Sequence, residues 1–360
     1  MEKRTKVYEH ELLGCRFCPM CKPASDSLNA SLLECHATRA HAMIIWRVMD
    51  GIKDYTEKEA ELLYQCNLDG VAEAFCVDHY PMTKIMLAAR EDIVDAGKEP
   101  APVKVVLKRE QAIAADPKGD MLVFAEGCDL VTEAATEAKK IADKLGAGII
   151  SGCNGYLPYV LGGRAKAIKE AKEMAEAITK TGAKTLVAPG PESFYTFTKL
   201  YEELGVVLPV KVVSLTELRG NKPAQGVQGK KVFFHDARAA YNLGDTKPDE
   251  KVIMPDFFGP EELLGEGAVY DLPRKALKDG GAQLLFSVWS RAMANAMGND
   301  EGVSITYPKM AQKMAARRLR MISELGTEVL VTDSMATYLY LEQLPEELKH
   351  GMSVKFLGDL

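Results

Sequence analysis

Apolar and polar positions change rhythm near residue 118. Before it, apolar residues recur at helical spacing: Thr56–Glu59 reads as a T-x-x-E capping box opening EAELLYQC, and MTKIMLAAREDIVDAGKE follows as a second amphipathic stretch. KEPAPVK, residues 98–104, carries two prolines and is expected to be a linker. Beyond it, short apolar runs alternate with long amphipathic ones. DMLVFAEG, VTEAATEAKKIADKLG, AGIIS, RAKAIKEAKEMAEAITKTG and KTLVAPG read as strand, helix, strand, helix, strand, the pattern of a parallel sheet covered by helices. After a polar break at 221–231 the alternation resumes with KVFFHD, AQLLFSV, a long helix around MAQKMAARRLRMISELG, and TEVLVTD.

The two halves of this region are expected to be copies. Residues 182–204 align without gaps on 326–348, with seven of 23 positions identical, and each segment runs from apolar strand through a turn into a helix. The alternative is chance likeness between two strand–helix units.

Composition narrows the class. A chain of 360 residues has room for two or three domains. A net charge of −6 argues against a general nucleic-acid binder, and no apolar run reaches the length of a membrane span. The N-terminus lacks the apolar segment of a secretory signal, so a cytoplasmic protein without direct membrane insertion is expected. Six of the eight cysteines lie within the first 76 residues, a crowding that suggests a metal site in place of disulfides.

Cys15-Arg-Phe-Cys18-Pro-Met-Cys21 is a C-x2-C-x2-C run, able to hold three corners of a cubane cluster on a loop whose N–H groups face the sulfurs. In two-cluster ferredoxins a fourth cysteine of each such run ligates the other cluster; here Ser25 stands in that place. A second run, from Cys66 to Cys76, keeps only its first and last cysteines, with Asp69 and Ala72 between. Crossed ligation makes Cys15, Cys18, Cys21 and Cys76 a complete set, and leaves Cys66, Asp69, Ala72 and Ser25 an incomplete one. One 4Fe–4S cluster kept and one lost is the expectation; a zinc site is the alternative. Cys35 lies outside both runs and reads as a packed or surface thiol.

The arrangement resembles the CCG-domain iron–sulfur subunits of heterodisulfide reductases and of FAD-linked dehydrogenases, over nearly the whole chain. It implies an α+β and α/β chain: an α-helical ferredoxin-like domain at 1–100, then duplicated α/β CCG-type domains at 101–225 and 226–360. In that family each CCG domain carries a cysteine, a CCG triplet and a later C-x2-C pair. Here the first shows Cys128, then Cys153-Asn154-Gly155, then Gly190-Pro-Glu-Ser193. The second shows Arg238 at the cysteine position, Ala296-Met297-Gly298, then Ser334-Met-Ala-Thr337. With most ligands lost, noncubane clusters are expected to be absent.

The resemblance implies an electron-transfer subunit of a redox complex, with a flavoprotein as the plausible partner. The alternatives are an assembly subunit with a redox-silent cluster, or an enzyme using the vacated CCG cleft with His235 and Asp236 as candidates. Gly162-Gly163-Arg164 reads as a turn more than as an anion site. The basic stretch 315–321 reads as a solvated helix face.

Overall fold

The computed structural model describes residues 3–68, 70–76, 78, 80–125, 131–244 and 264–360. Its N-terminal part is helical. Thr56 caps the helix Glu57–Tyr64 as expected: its hydroxyl accepts from the Glu59 N–H at 3.3 Å, and the Glu59 carboxylate accepts from the Thr56 N–H at 3.1 Å. The helices Thr38–Met49, Glu57–Tyr64 and Met82–Asp95 turn Ile45, Leu63, Ile85, Ala89 and Ile93 into one core that excludes water.

The expected linker is a correction. Pro100 is the N-cap of a helix, Ala101–Leu107, with Pro102 in its first turn, and Val103 and Val106 enter the N-terminal core. A proline costs nothing there, because the first-turn N–H groups have no intrahelical acceptor and the ring presets φ.

Two sheets follow. The first comprises β1 (Ala114–Asp116), β2 (Met121–Ala125), β3 (Gly148–Ser151), β4 (Thr185–Ala188) and β5 (Lys211–Ser214), in the order β1-β3-β2-β4-β5. All its pairings are parallel except β1 with β3. The second comprises β6 (Lys231–His235), β7 (Gln283–Leu285), β8 (Val329–Thr332) and β9 (Ser353–Phe356), in the order β7-β6-β8-β9, all parallel. Side chains alternate across the first sheet: Leu122 and Phe124 face Met174 and Ile178, while Val123 and Ala125 face Ala134, Ala138 and Ile141. The helix Val131–Leu145 also meets Met335 and Leu339, so the two sheet units share a core.

The strand order β3-β2-β4-β5 is repeated by β7-β6-β8-β9, while the antiparallel β1 has no counterpart among the described residues. The offset that aligns Gly182 with Gly326 carries Thr185 onto Val329 and Ala188 onto Thr332, the bounds of β4 and β8. Gly155 and Gly298 make the same close approach. At φ +88°, a Cβ on Gly155 would lie 2.6 Å from the Ala167 carbonyl oxygen, on the helix Arg164–Thr181. At φ +95°, one on Gly298 would lie 2.2 Å from the Ala311 carbonyl oxygen, on the helix Pro308–Ser323. Only glycine fits either position.

Arg90 ties the N-terminal helices to the first sheet unit. Fully buried, it donates to the carbonyls of Val160 at 2.7 Å, Leu63 at 3.0 Å and Cys66 at 2.6 Å. Gly162, at φ +82°, lets the following turn pass so close that a Cβ would lie 2.4 Å from the Arg90 carbonyl carbon. The Gly162-Gly163-Arg164 segment is therefore a packed turn, as expected, and Arg164 pairs with Glu203 at 3.3 Å. Among the described residues, no helix is long and apolar enough to cross a membrane.

Candidate functional site

Cys15 caps the C-terminus of the helix Glu9–Gly14, its N–H bonded to the Glu11 carbonyl at 3.1 Å. Phe17 adopts φ +51°, a left-handed turn that folds the chain back. Its N–H then points at the Cys15 sulfur, 3.4 Å away. At Cys21 the backbone N–H of Arg39 opposes the effect of burial on the thiol. Arg39 also reaches back from the helix Thr38–Met49 to the Phe17 carbonyl, Nη1 to O 3.3 Å, which ties the loop to that helix.

Cys76 arrives from a different segment, just past the short helix Val71–Ala74. Tyr80, four residues on, packs over Gly14 so tightly that a Cβ there would meet its hydroxyl at 2.3 Å. This docks the Cys76 segment onto the end of the helix that presents Cys15. The thiols share one field. Burial raises the Cys15 pKa, the Phe17 N–H opposes it, and Cys76, Cys18 and Asp78 then add to the rise. Cys21 is likewise raised by burial, opposed by the Arg39 N–H, and raised again by Cys18 and Cys15. Cys18 is exposed, and the other three are half-buried. No disulfide links the described cysteines, and among the described residues no group of three or more His, Cys, Asp or Glu side chains is arranged to hold a metal ion.

The second run has a different environment. Asp69 lies outside the described residues. The Ser25 hydroxyl donates to the His36 carbonyl at 3.1 Å. Next to it, Asp26 accepts from the Ala296 N–H at 2.8 Å and the Asn67 amide at 3.3 Å. Val71 and Phe75, flanking Ala72 on the chain, pack with Ala24, Leu264 and Met293, and Phe75 stacks on Trp289 with centroids 5.6 Å apart. Cys35 sits exposed on the turn Glu34–His36.

Positions that the resemblance aligns with the CCG motifs gather from both sheet units. Cys128 lies outside the described residues. Asn154, Glu192, Arg238 and Ala336 line one cavity of about 120 Å³, together with Asn299, Asp300 and Glu301. Cys153 turns away, half-exposed, its thiol donating to the Gln111 side chain at 3.2 Å. Ser334 donates to Glu192 at 2.8 Å, joining the segments 190–193 and 334–337 across the units.

His235 and Asp236 have a structural setting. Asp236 takes both Arg274 Nη atoms at 2.7 Å and the Arg291 N–H at 2.6 Å. Burial alone would raise its pKa; the Arg274 guanidinium outweighs that and holds the carboxyl below its ordinary value. His235 is wholly buried, and burial pushes its pKa down to about 3, so it stays neutral. Neither residue lines any of the cavities described here.

The stretch 315–321 is a second correction. Arg320 is solvated, but Arg318 is buried, donating to the Trp289 carbonyl at 2.6 Å with its guanidinium 5.3 Å from the Phe233 ring centre. Arg317 lies 3.5 Å from Asp26. Arg318 thus packs within the second sheet unit, and Arg317 links that unit to the N-terminal helix Asp26–Ser31. Compared with known proteins, the chain matches no family model and no curated sequence.

Proposed function

We propose that this chain is an electron-transfer subunit, holding one 4Fe–4S cluster through Cys15, Cys18, Cys21 and Cys76. The observation that carries the reading is the docking of the Cys76 segment, distant in sequence, through Tyr80 over Gly14 onto the end of the helix that presents Cys15. The donor set suits the group: four thiols would supply the ligands, and the Phe17 N–H already points at the Cys15 sulfur. Ligands of a cubane each bind a different iron, so they need not converge on one point as the ligands of zinc do.

When bound, such a cluster supplies a one-electron carrier whose potential answers to the hydrogen bonds at its sulfurs and to solvent access. The chain's own contribution is to fix those terms. Phe17, its ring 6.1 Å from Trp46, shields one side of the loop, while Cys18 stays at the surface. Leu13, Leu32 and Leu33, on the segments flanking the loop, are exposed apolar side chains, which suits a partner subunit closing over it. The resemblance to CCG-domain subunits suggests a flavoprotein in that role. In this reading the two sheet units are degenerate CCG domains without noncubane clusters, serving as the frame.

Stepwise anaerobic reduction, followed by electron paramagnetic resonance, tests the function. A carrier gains one electron per chain and gives it back on reoxidation. Iron that is bound but takes up no electron over the whole range would make the cluster structural and overturn the proposal.

A further inference from the structure

A cavity of about 180 Å³ lies between the two sheet units, outside the carboxyl ends of their strands. Ala188 ends β4, Ser214 ends β5, and Asp333 follows directly on β8. The helix Ala268–Asp279 contributes Val269 and Leu272. In the second sheet the chain passes from β6 to β7 on one side and then to β8 on the other, so strand order reverses between β6 and β8. Open α/β sheets take their ligands in the crevice at such a reversal.

Asp333 stands at that reversal, 6% exposed. Its Oδ2 accepts from the Thr216 hydroxyl at a long 3.4 Å, and its Oδ1 accepts from no other residue described. Oδ1 is not sealed from solvent. Asp333 lines this cavity and none of the others described, so the open oxygen faces it. A buried carboxyl with an unused acceptor is costly, and a donor in the cavity relieves that cost.

Its charge is also unanswered. Asp236 follows β6 as Asp333 follows β8, and those two strand ends are paired in register. Arg274, on the helix Ala268–Asp279, gives both Nη atoms to Asp236 at 2.7 Å. Burial first, then the Asp236 charge, push the Asp333 carboxyl up to about 7, and its own N–H, Thr216 and the more distant charge of Arg274 do not offset them. Exposed Glu217, which accepts from the Ser214 N–H at 3.3 Å, adds a second negative charge to the lining.

We infer that this cavity binds a small primary ammonium compound with an apolar body, its cationic head donating to Asp333 Oδ1 and its body lying against Phe194, Leu215, Leu243 and Leu272. A cation at that point ends the repulsion between Asp333 and Asp236. The volume admits a single ring, since an engineered apolar cavity of about 150 Å³ takes benzene. An anion is disfavoured, because Asp333 and Glu217 share the lining. The site uses none of the four cysteines, so it stands or falls separately from the electron-transfer reading.

The test uses the full chain, purified anaerobically, with benzylamine as probe and titration calorimetry as readout. Benzyl alcohol, the neutral analogue, and benzoate are compared with it. At pH 8 benzylamine should saturate one site per chain, benzyl alcohol should bind about tenfold or more weakly, and benzoate should not bind. At pH 6, where the Asp333 carboxyl is mostly protonated, benzylamine should bind about tenfold more weakly than at pH 8. Asp333→Asn should bring benzylamine down to the level of benzyl alcohol and remove that pH difference. Leu272→Trp, which fills the cavity from the helix and leaves Asp333 in place, should abolish binding even if Asp333→Asn does not fold. Equal binding of amine and alcohol at pH 8, saturable binding of benzoate, no saturable binding of benzylamine, no pH difference, or full binding by either variant would each overturn the inference.

Discussion

Replacing Gly298 by alanine tests the packing that the two sheet units share. Two costs arise there. At φ +95° a side chain is strained, at roughly 1–2 kcal/mol. The new Cβ would also stand 2.2 Å from the Ala311 carbonyl oxygen, where real Cβ atoms essentially never come under 3.0 Å. Backbone of a packed helix cannot yield as a flexible side chain does, so overpacking adds about 1–3 kcal/mol. The sum is about 3 kcal/mol, on the order of 10 °C in Tm for a unit of this size. Gly155→Ala, with 2.6 Å to the Ala167 carbonyl oxygen, should cost slightly less. Gly182 supplies the control: it ends the helix Arg164–Thr181 at φ +74° with nothing within 4 Å of a Cβ, so its alanine carries the strain alone, about 1 kcal/mol. Scanning calorimetry of the three variants beside wild type should rank Gly182, Gly155, Gly298 in rising cost. If Gly298→Ala is no worse than Gly182→Ala, the equivalence drawn between the two glycine contacts is wrong.

Three further outcomes follow from buried polar groups. Arg90→Met keeps the apolar stem but leaves three buried carbonyls without their donor, which should cost about 3 kcal/mol in urea unfolding; Tyr64→Phe, losing one bond to the Leu161 carbonyl at 3.0 Å, should cost about 1 kcal/mol. A loss under about 0.5 kcal/mol for Arg90→Met would remove that residue's joining role. Asp333 gives a pH dependence: burial first, then Asp236, push its pKa from 3.8 up to about 7, against bonds from its own N–H and Thr216 and the charge of Arg274. Since the folded value lies above the unfolded one, the stability tied to the protonated form is complete below pH 4 and lost as pH rises through 7, on the order of 4 kcal/mol. Asp333→Asn should remove that slope, becoming more stable than wild type at pH 8 but not at pH 4, and an unchanged slope would contradict the assignment. Asp236→Asn should destabilise the fold by several kcal/mol, because it leaves Arg274 buried without its charge partner, and a neutral effect would reopen a catalytic role for that carboxylate.

Much of this architecture was legible because each strand is short, apolar and flanked by a long amphipathic helix. The capping box at Thr56, the strands β2, β3, β4, β6, β7 and β8, and the β4–β8 equivalence all lie where the pattern puts them. Three strands escaped it. In β1, Ala114–Asp116 is exposed throughout and too short for a pattern, while β5 offers only two valines between Lys211 and Ser214, and Lys355 interrupts β9. Proline misled at 98–104, since the same residue that breaks a helix also begins one well. A basic run hid Arg318, whose burial is set by Phe233 and the Trp289 carbonyl, both far away in sequence. At the candidate sites the contrast is similar. Cysteine spacing singled out the loop and suggested Cys76, because thiolate chemistry leaves few alternatives. Arg238, Tyr156 and Glu301, which line the cavity of about 120 Å³, come from separate segments with no common motif.

The most direct measurement is anaerobic iron and acid-labile sulfide content, on wild type, Cys76→Ser and Cys66→Ser. Crossed ligation predicts about four irons and four sulfides in wild type. Cys76→Ser should lose or alter the cluster and its spectroscopic signal, and Cys66→Ser should leave both unchanged. Zinc in place of iron, or a cluster that survives Cys76→Ser and is lost in Cys66→Ser, would contradict the assignment of the four cysteines.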